Sequence, residues 1–302
     1  MRKLLIVLSL ILTLSLALVG CTAGVDNNLG ECIITAENAL TEVENGAILV
    51  DAQNNSDVYA EKHVLDSVSI TRGMITTYEP VLNSVISKDA FEEVMMNTGI
   101  ANDSMVIIYD DNRTMDSGRL FWTMLVYGHE NVKVVSGGLE ALINAGAVTG
   151  KEIPVVNQTD YTATELNTKY LATIDDVIDQ LNYPDVNVHL IDVRSQEEYD
   201  AGTIPSSILI PFDKNLFYDG TFKPMQQISI LYKENGIDKD DTVIMFCKSS
   251  VRGAQTFLAM FNAGYENVKL YDGAYLEWSS DKALPIQMPE GTPVISNQQD
   301  NS

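Results

Sequence analysis

Cysteine and histidine are scarce in this chain of 302 residues, with three of each. Cys21, Cys32 and Cys247 are too few for a disulfide framework, and a chain of this length needs no staple to hold a core. His63, His129 and His189 share no ligand-like spacing with Cys247, so no metal centre is expected. Basic residues are also in short supply. Lys and Arg number 19 against 42 Asp and Glu, a formal net charge of -23, and no basic stripe interrupts the acidic surface. Such a surface repels polyanions and excludes nucleic acid as a partner, while a locally positive pocket could still take a small anion. A dinucleotide fingerprint and a Walker loop are both missing, so no cofactor is expected. What remains is a chain that is 45% hydrophobic, with 19 Gly and 9 Pro, enough for two domains with real cores.

The first twenty residues differ from the rest. Arg2 and Lys3 precede an almost unbroken apolar run from Leu4 to Val19, closed by Gly20 and Cys21. A short apolar segment behind basic residues reads as an export signal. Small residues before a cysteine resemble the lipobox of bacterial lipoproteins, which implies cleavage after residue 20 and a lipid on Cys21. The alternative is a secretory leader with an incidental cysteine. The expected location is the bacterial cell envelope, outside the cytoplasm and held to the membrane by the lipid. Residues 21–35 then form a tether, and Cys32 and Cys247 are expected to be free thiols.

The remaining chain contains a repeat. Met105-Val106-Ile107-Ile108-Tyr109-Asp110 parallels Thr242-Val243-Ile244-Met245-Phe246-Cys247. Gly128-His129-Glu130-Asn131-Val132-Lys133 parallels Gly264-Tyr265-Glu266-Asn267-Val268-Lys269, and glycines follow at Gly137-Gly138 and Gly273. Short apolar, β-branched runs at 48–50, 106–109, 132–135, 188–191, 242–246 and 268–270 alternate with helical stretches. This predicts mostly parallel sheets flanked by helices, an α/β fold in two tandem domains. Helices are expected over 118–126, with Leu120, Met124 and Leu125 partly inward, over 171–181 with Thr173 as N-cap, and from Val251 to Phe261. The domains fall at 36–149 and 171–289, joined by a polar linker over 150–170 and followed by a tail over 290–302.

The most informative text is Phe246-Cys247-Lys248-Ser249-Ser250-Val251-Arg252. A cysteine at the carboxyl end of a strand, followed at once by a helix, sits where open α/β sheets place ligands. Loop amides, the helix N-terminus, Lys248 and Arg252 all favour thiolate over thiol. A buried structural cysteine is the bland alternative.

Other motifs point further. Ile191-Asp192-Val193-Arg194-Ser195-Gln196-Glu197-Glu198-Tyr199, Gly202-Thr203-Ile204-Pro205-Ser206-Ser207, Ile210-Pro211, the cysteine loop and Gly273 to Trp278 together resemble the rhodanese family. The whole chain is similar to its tandem-domain thiosulfate sulfurtransferases, in which an inactive first domain precedes a catalytic second one. The resemblance implies transfer of a sulfane sulfur from thiosulfate or a related small donor, through a persulfide on Cys247, to cyanide, a thiol or a protein sulfur acceptor. It implies that the amides of Lys248, Ser249, Ser250, Val251 and Arg252 hold the anionic sulfur, with Lys248 and Arg252 drawing in the sulfonate. Arg194 matches the family's pocket-facing arginine, an ion pair with Glu198 being its alternative role, and Asp192 fixes the loop backbone. Asp110 stands where Cys247 does and cannot carry a persulfide, so the first domain is expected to be a structural partner.

The sequence departs from the family at several points. Ser250 replaces a usual glycine, which strains the loop or offers a hydroxyl to the persulfide, and Ser249 replaces a second basic residue. In the first half Ala52-Gln53 stand for valine-arginine, and Lys62 for the glycine before His63. Four residues separate Cys247 from Arg252, one fewer than in related phosphatases, so phosphatase chemistry is not expected. The competing reading is a non-enzymatic lipoprotein that relays sulfur or binds a protein.

Overall fold

The computed structural model describes residues 27–289. The expected leader, Cys21 with its lipid, and the tail from residue 290 lie outside the described residues. Each half of the chain is built on a five-stranded parallel sheet. The first holds β1 (Ile33–Ile34), β2 (Ile48–Asp51), β3 (Val68–Ser69), β4 (Val106–Tyr109) and β5 (Val132–Val135), in the order β1-β5-β4-β2-β3. The second holds β6 (Leu171–Ala172), β7 (Val188–Asp192), β8 (Ile208–Leu209), β9 (Thr242–Phe246) and β10 (Asn267–Tyr271), in the order β6-β10-β9-β7-β8. The two orders are the same, so the repeat seen in the letters is a repeat of topology. Every residue of β4, and Val243 to Phe246 of β9, is buried. Unbroken apolar runs suit a strand covered on both faces.

Those covers set the arrangement of the halves. Ala36–Glu44 and Gly138–Asn144 pack on the outer face of the first sheet, Ile174–Asn182 and Ala274–Ser280 on the outer face of the second. The inner faces share one core, built around two helices that each follow a central strand, Met115–Val126 and Val251–Asn262. The first begins three residues before the expected Gly118. Its residues from Asp116 to Val126 are all buried, because the second helix covers the side that would face water in a lone domain. Phe121 meets Phe261 at 6.1 Å, and the Trp122 indole donates to the Tyr170 carbonyl at 3.0 Å.

Close approach of these helices depends on Gly118. A Cβ there would lie 2.8 Å from Gln255 Cα and 2.9 Å from its nitrogen, both backbone atoms. Alanine would gain about 1 kcal/mol of helix propensity. Forcing two backbones apart costs roughly 1–3 kcal/mol and reaches the shared core. Gly118→Ala is therefore expected to lower the thermal midpoint; an unchanged or raised midpoint would show that the helix pair is not the constraint.

Two boundaries differ from expectation. Leu171–Ala172 form β6, and the helix starts only at Ile174, where Thr173 and Asp176 make a reciprocal capping box. Residues 27–35, expected to belong to a tether, are docked on the fold. Ile33–Ile34 pair with β5, Met225 donates to the Asn28 carbonyl at 2.9 Å, and Asn262 binds both the Cys32 amide and the Leu29 carbonyl. Two apolar residues in polar text are too short a run for a strand to be read, and the partner that makes them one lies a hundred residues away. Cys32 and Cys247 are both free thiols. Burial, then neighbouring Glu31, pushes the Cys32 thiol up to about 11, with Lys133 opposing. Residues 151–170 contain no helix or strand, yet they run along the first half through bonds such as Asn167 N–H to the Val126 carbonyl at 2.8 Å.

Candidate active site

Cys247 follows the last residue of β9, at the carboxyl end of the central strand of the second sheet. The chain then turns through Lys248, Ser249 and Ser250 into the Val251–Asn262 helix. The turn is held from outside. The amides of Tyr275 and Leu276 donate to the carbonyls of Cys247 and Lys248 at 3.0 and 3.1 Å. Ser250 sits in the left-handed region at φ +65°. Its hydroxyl donates to the carbonyls of Tyr271, at 3.1 Å, and Asp272. The serine is fully buried, and the expectation that it offers its hydroxyl to a sulfur-bound group is overturned, since two carbonyls at the end of β10 capture it.

This accounts for a serine at a strained position. Glycine would relieve about 1 kcal/mol of backbone strain while giving up a hydroxyl bond of similar worth. Alanine would keep the strain and lose the bond. The expected stability order is Ser250 close to Ser250→Gly, within about 1 kcal/mol, with Ser250→Ala roughly 1–3 kcal/mol below. Denaturant unfolding of the three proteins checks it, and an alanine variant as stable as wild type would remove the role given to the hydroxyl.

The charges around the turn are arranged differently from the expectation. Arg252 and Glu198 form a bidentate pair, with Nη1 to Oε2 at 2.6 Å and Nη2 to Oε1 at 2.8 Å. Arg252 holds the Glu198 carboxyl down at about 2, with burial opposing and the Ser195 amide adding. The guanidinium is in turn pushed up, first by Glu198, against burial, with a smaller contribution from neighbouring Cys247. Lys248 is exposed, Val251 is buried at the head of the helix, and Ser249 accepts from Asn83 Nδ2 of the first half at 2.9 Å.

Arg194 has neither of the roles expected for it. Its Nη2 reaches Asp192 at 2.6 Å and the Gly202 carbonyl at 2.8 Å, its Nε lies 2.9 and 3.0 Å from the two Asp192 oxygens, and its guanidinium stacks 3.9 Å from the Tyr275 ring centroid. It is buried, so it is not a pocket arginine, and its partner is Asp192 while Glu198 goes to Arg252. A buried carboxylate two residues away leaves this guanidinium no cheaper neighbour. Asp192 does fix the backbone, accepting the Arg194 amide at 3.0 Å and the Thr203 hydroxyl at 2.8 Å.

The first half shows what the same kind of turn can hold. Asp110 follows β4, and its carboxylate accepts the amides of Asn112 and Thr114, both at 2.9 Å, and Ser117 at 2.7 Å. An anion at the head of a helix, ringed by N–H groups, is the arrangement such a turn favours. The turn is one residue longer here: the left-handed residue that caps the helix is Thr114, four after Asp110, whereas Ser250 is three after Cys247. Asp116 takes the place of Arg252 and pairs with Arg72 at 2.7 Å. Burial pushes Asp110 up to about 6, with the Ser117 amide opposing and Asp116 adding. A carboxyl raised from its ordinary 3.8 gives stability that is full below that value and lost as pH rises through about 6, on the order of 2–3 kcal/mol. Stability of Asp110→Asn measured against pH is expected to lack that decline; a parallel curve would assign the decline to other groups.

Cys247 itself is 1% exposed. A cavity of about 660 Å³ is lined by Asp110, Arg113 and Thr114 and by Tyr218 to Gly220 of the second half. A second, of about 240 Å³, lies between Pro80, Val85 and Asp272. Neither is lined by Cys247. Asn83, Arg119, Asp272 and Tyr275 all bear on the turn, and sequence reasoning singled out none of them. Asp272, next to the repeated glycine, and Tyr275, inside the Gly273 to Trp278 motif, were the two with a local signal.

A family model for the rhodanese-like domain matches residues 35–145 and again 173–281. Among curated proteins, a candidate thiosulfate sulfurtransferase of Saccharopolyspora erythraea is 29% identical over 262 residues, covering 81% of this chain and 92% of its own. A sulfur carrier protein of Thermus thermophilus is 29% identical over 231 residues, 70% of this chain and 81% of its own. Among solved structures, a 3-mercaptopyruvate sulfotransferase of Escherichia coli superposes with a TM-score of 0.73 at 21% identity, over 81% of this chain and 98% of that one.

Proposed function

Because the chain belongs to the rhodanese-like domain family, with one copy in each half, we propose that it is a sulfurtransferase working through a persulfide on Cys247. The Cys247 thiolate attacks the sulfane sulfur of thiosulfate or a related donor. A new S–S bond forms, the donor's S–S bond breaks, and sulfite leaves with the electron pair. A thiophilic acceptor, cyanide or a thiol, then attacks the outer sulfur and releases the thiolate. The observation that carries this reading is the placement of Cys247 at the turn into the Val251–Asn262 helix, with Arg252 in that helix's first turn. The amide ring around Asp110 supports it, being the same device filled by a carboxylate. Exposed Lys248 recruits the sulfonate and Arg252 balances charge on departing sulfite. Cys247 is 1% exposed, so the surrounding turn has to shift before a donor reaches the sulfur. The Thermus thermophilus relative is named a sulfur carrier protein, which supports sulfur being carried on this chain.

The test is intact mass of the soluble protein after incubation with thiosulfate. A gain of one sulfur, reversed by cyanide, is expected. A gain only from an organic persulfide would reassign the donor, and no gain from either would leave the non-enzymatic reading. The lipid on Cys21 is part of the same proposal, supported by the leader's sequence. Detergent-phase partition that disappears in Cys21→Ala is the expected result.

A further inference from the structure

We propose that two residues of the first half, Arg119 and Asn83, are positioning residues for the Cys247 turn. This rests on the sulfurtransferase reading for its kinetic part alone. Arg119 lies inside the Met115–Val126 helix with its side chain wholly buried. Its Nη2 donates to the Asn83 carbonyl at 2.8 Å, and Nη1 stands 2.7 Å from Asp272 Oδ1, an ion pair too oblique for a good hydrogen bond. From Asn83, the side-chain amide continues to the Ser249 hydroxyl. From Asp272, the main-chain carbonyl accepts the Ser250 hydroxyl, while Oδ2 accepts the Val85 amide at 2.8 Å. One buried cation therefore fixes two of the three residues between the cysteine and its helix, each by a separate arm.

The chemistry of these groups suits positioning better than adhesion. The shared core already joins the halves through apolar side chains, and a buried guanidinium is an expensive way to add to it. A planar fork with several fixed donors is suited to holding two partners at a set angle, which a lysine ammonium cannot reproduce. Asn83 is itself in the left-handed region at φ +69°, where asparagine is among the few side chains tolerated, so its amide is presented toward Ser249 by a turn that also favours glycine. The inactive half would thus set the shape of the catalytic loop.

The variants Asn83→Gly and Arg119→Lys test this. The first keeps the left-handed turn and deletes the amide; the second keeps the charge and loses the fork. Amide hydrogen exchange in peptides spanning 247–254 is expected to quicken in both, with exchange in the two sheets unchanged. Single-turnover sulfur loading from thiosulfate is expected to slow roughly 10-fold, as for a reacting group moved out of place. Adding Ser249→Ala to Asn83→Gly should cost nothing more, because the two act through one contact. Unchanged loop exchange in both variants would overturn the proposal, as would exchange that rises equally throughout both sheets, the sign of simple glue. If wild type takes up no sulfur while the loop still responds, positioning stands and the sulfurtransferase reading falls.

Discussion

Cys247→Ser is expected to abolish sulfur uptake from every donor, lowering transfer by on the order of 10³-fold or more. No other described group can take its place. The second described thiol, Cys32, is on the first sheet's edge, and its thiol is held up at about 11 by burial and Glu31, so it stays protonated at neutral pH. The homologous turn offers no substitute either. Asp110→Cys in the Cys247→Ser background is not expected to restore transfer, although it puts a sulfur at the end of β4 under a ring of amides. That turn is one residue longer, and the position of Arg252 is held by Asp116, whose charge is already paired with Arg72. A thiolate there would face a carboxylate where the second half has a guanidinium. Intact mass after thiosulfate treatment, with and without cyanide, reads both variants. Uptake by Cys247→Ser would end the assignment of the nucleophile, and recovery in the double variant would show that Arg252 is dispensable.

The sequence revealed the strands more readily than the contacts. Val106 to Tyr109 and Thr242 to Phe246 announce buried parallel strands by composition, and the shared text around them announces two copies of one fold. Cys247 was legible for the same reason: a lone cysteine at the end of such a run, with Lys248 and Arg252 beside it, is visible without coordinates. The distribution of partners was not. Arg194 and Arg252 lie near two carboxylates, Asp192 and Glu198, and nothing in the letters says which pairs with which. The structure settles it by reach and burial. Ser250 could be flagged as a departure from glycine, yet the carbonyls that hold its hydroxyl come from the end of β10, twenty-one and twenty-two residues on. Ile33–Ile34 become a strand only against β5, and Arg119 becomes a support for the loop only through the other half of the molecule. What the letters omit is long-range pairing.

Arg252 is the residue whose loss should come next in effect. Its guanidinium is paired with Glu198 and lies in the first turn of the helix that follows Cys247, so removing it withdraws a positive charge from beside the reacting atom and leaves a carboxylate unpaired nearby. Arg252→Ala is expected to slow sulfur loading about 10²–10³-fold, the range for losing one donor aimed at developing charge. Arg252→Lys should fall between, because an ammonium keeps the charge but does not reproduce the two-pronged bond to Glu198. Glu198→Gln should have a much smaller effect, since the cation remains and its competing anion is gone. The pH dependence separates these roles. Glu198 is held near 2, so the pair's contribution to stability is complete above its ordinary value of 4.5 and is lost only as pH falls through about 2. Without Arg252 the same carboxyl loses the hydrogen bonds that lower it most, and the acid-side loss should move up toward its ordinary range. Acid unfolding of wild type and Arg252→Ala measures that displacement, and single-turnover loading measures the rate. A variant that unfolds earlier in acid yet loads sulfur at the wild-type rate would make Arg252 a structural clamp, and Lys248 would be left as the basic side chain available to meet the donor.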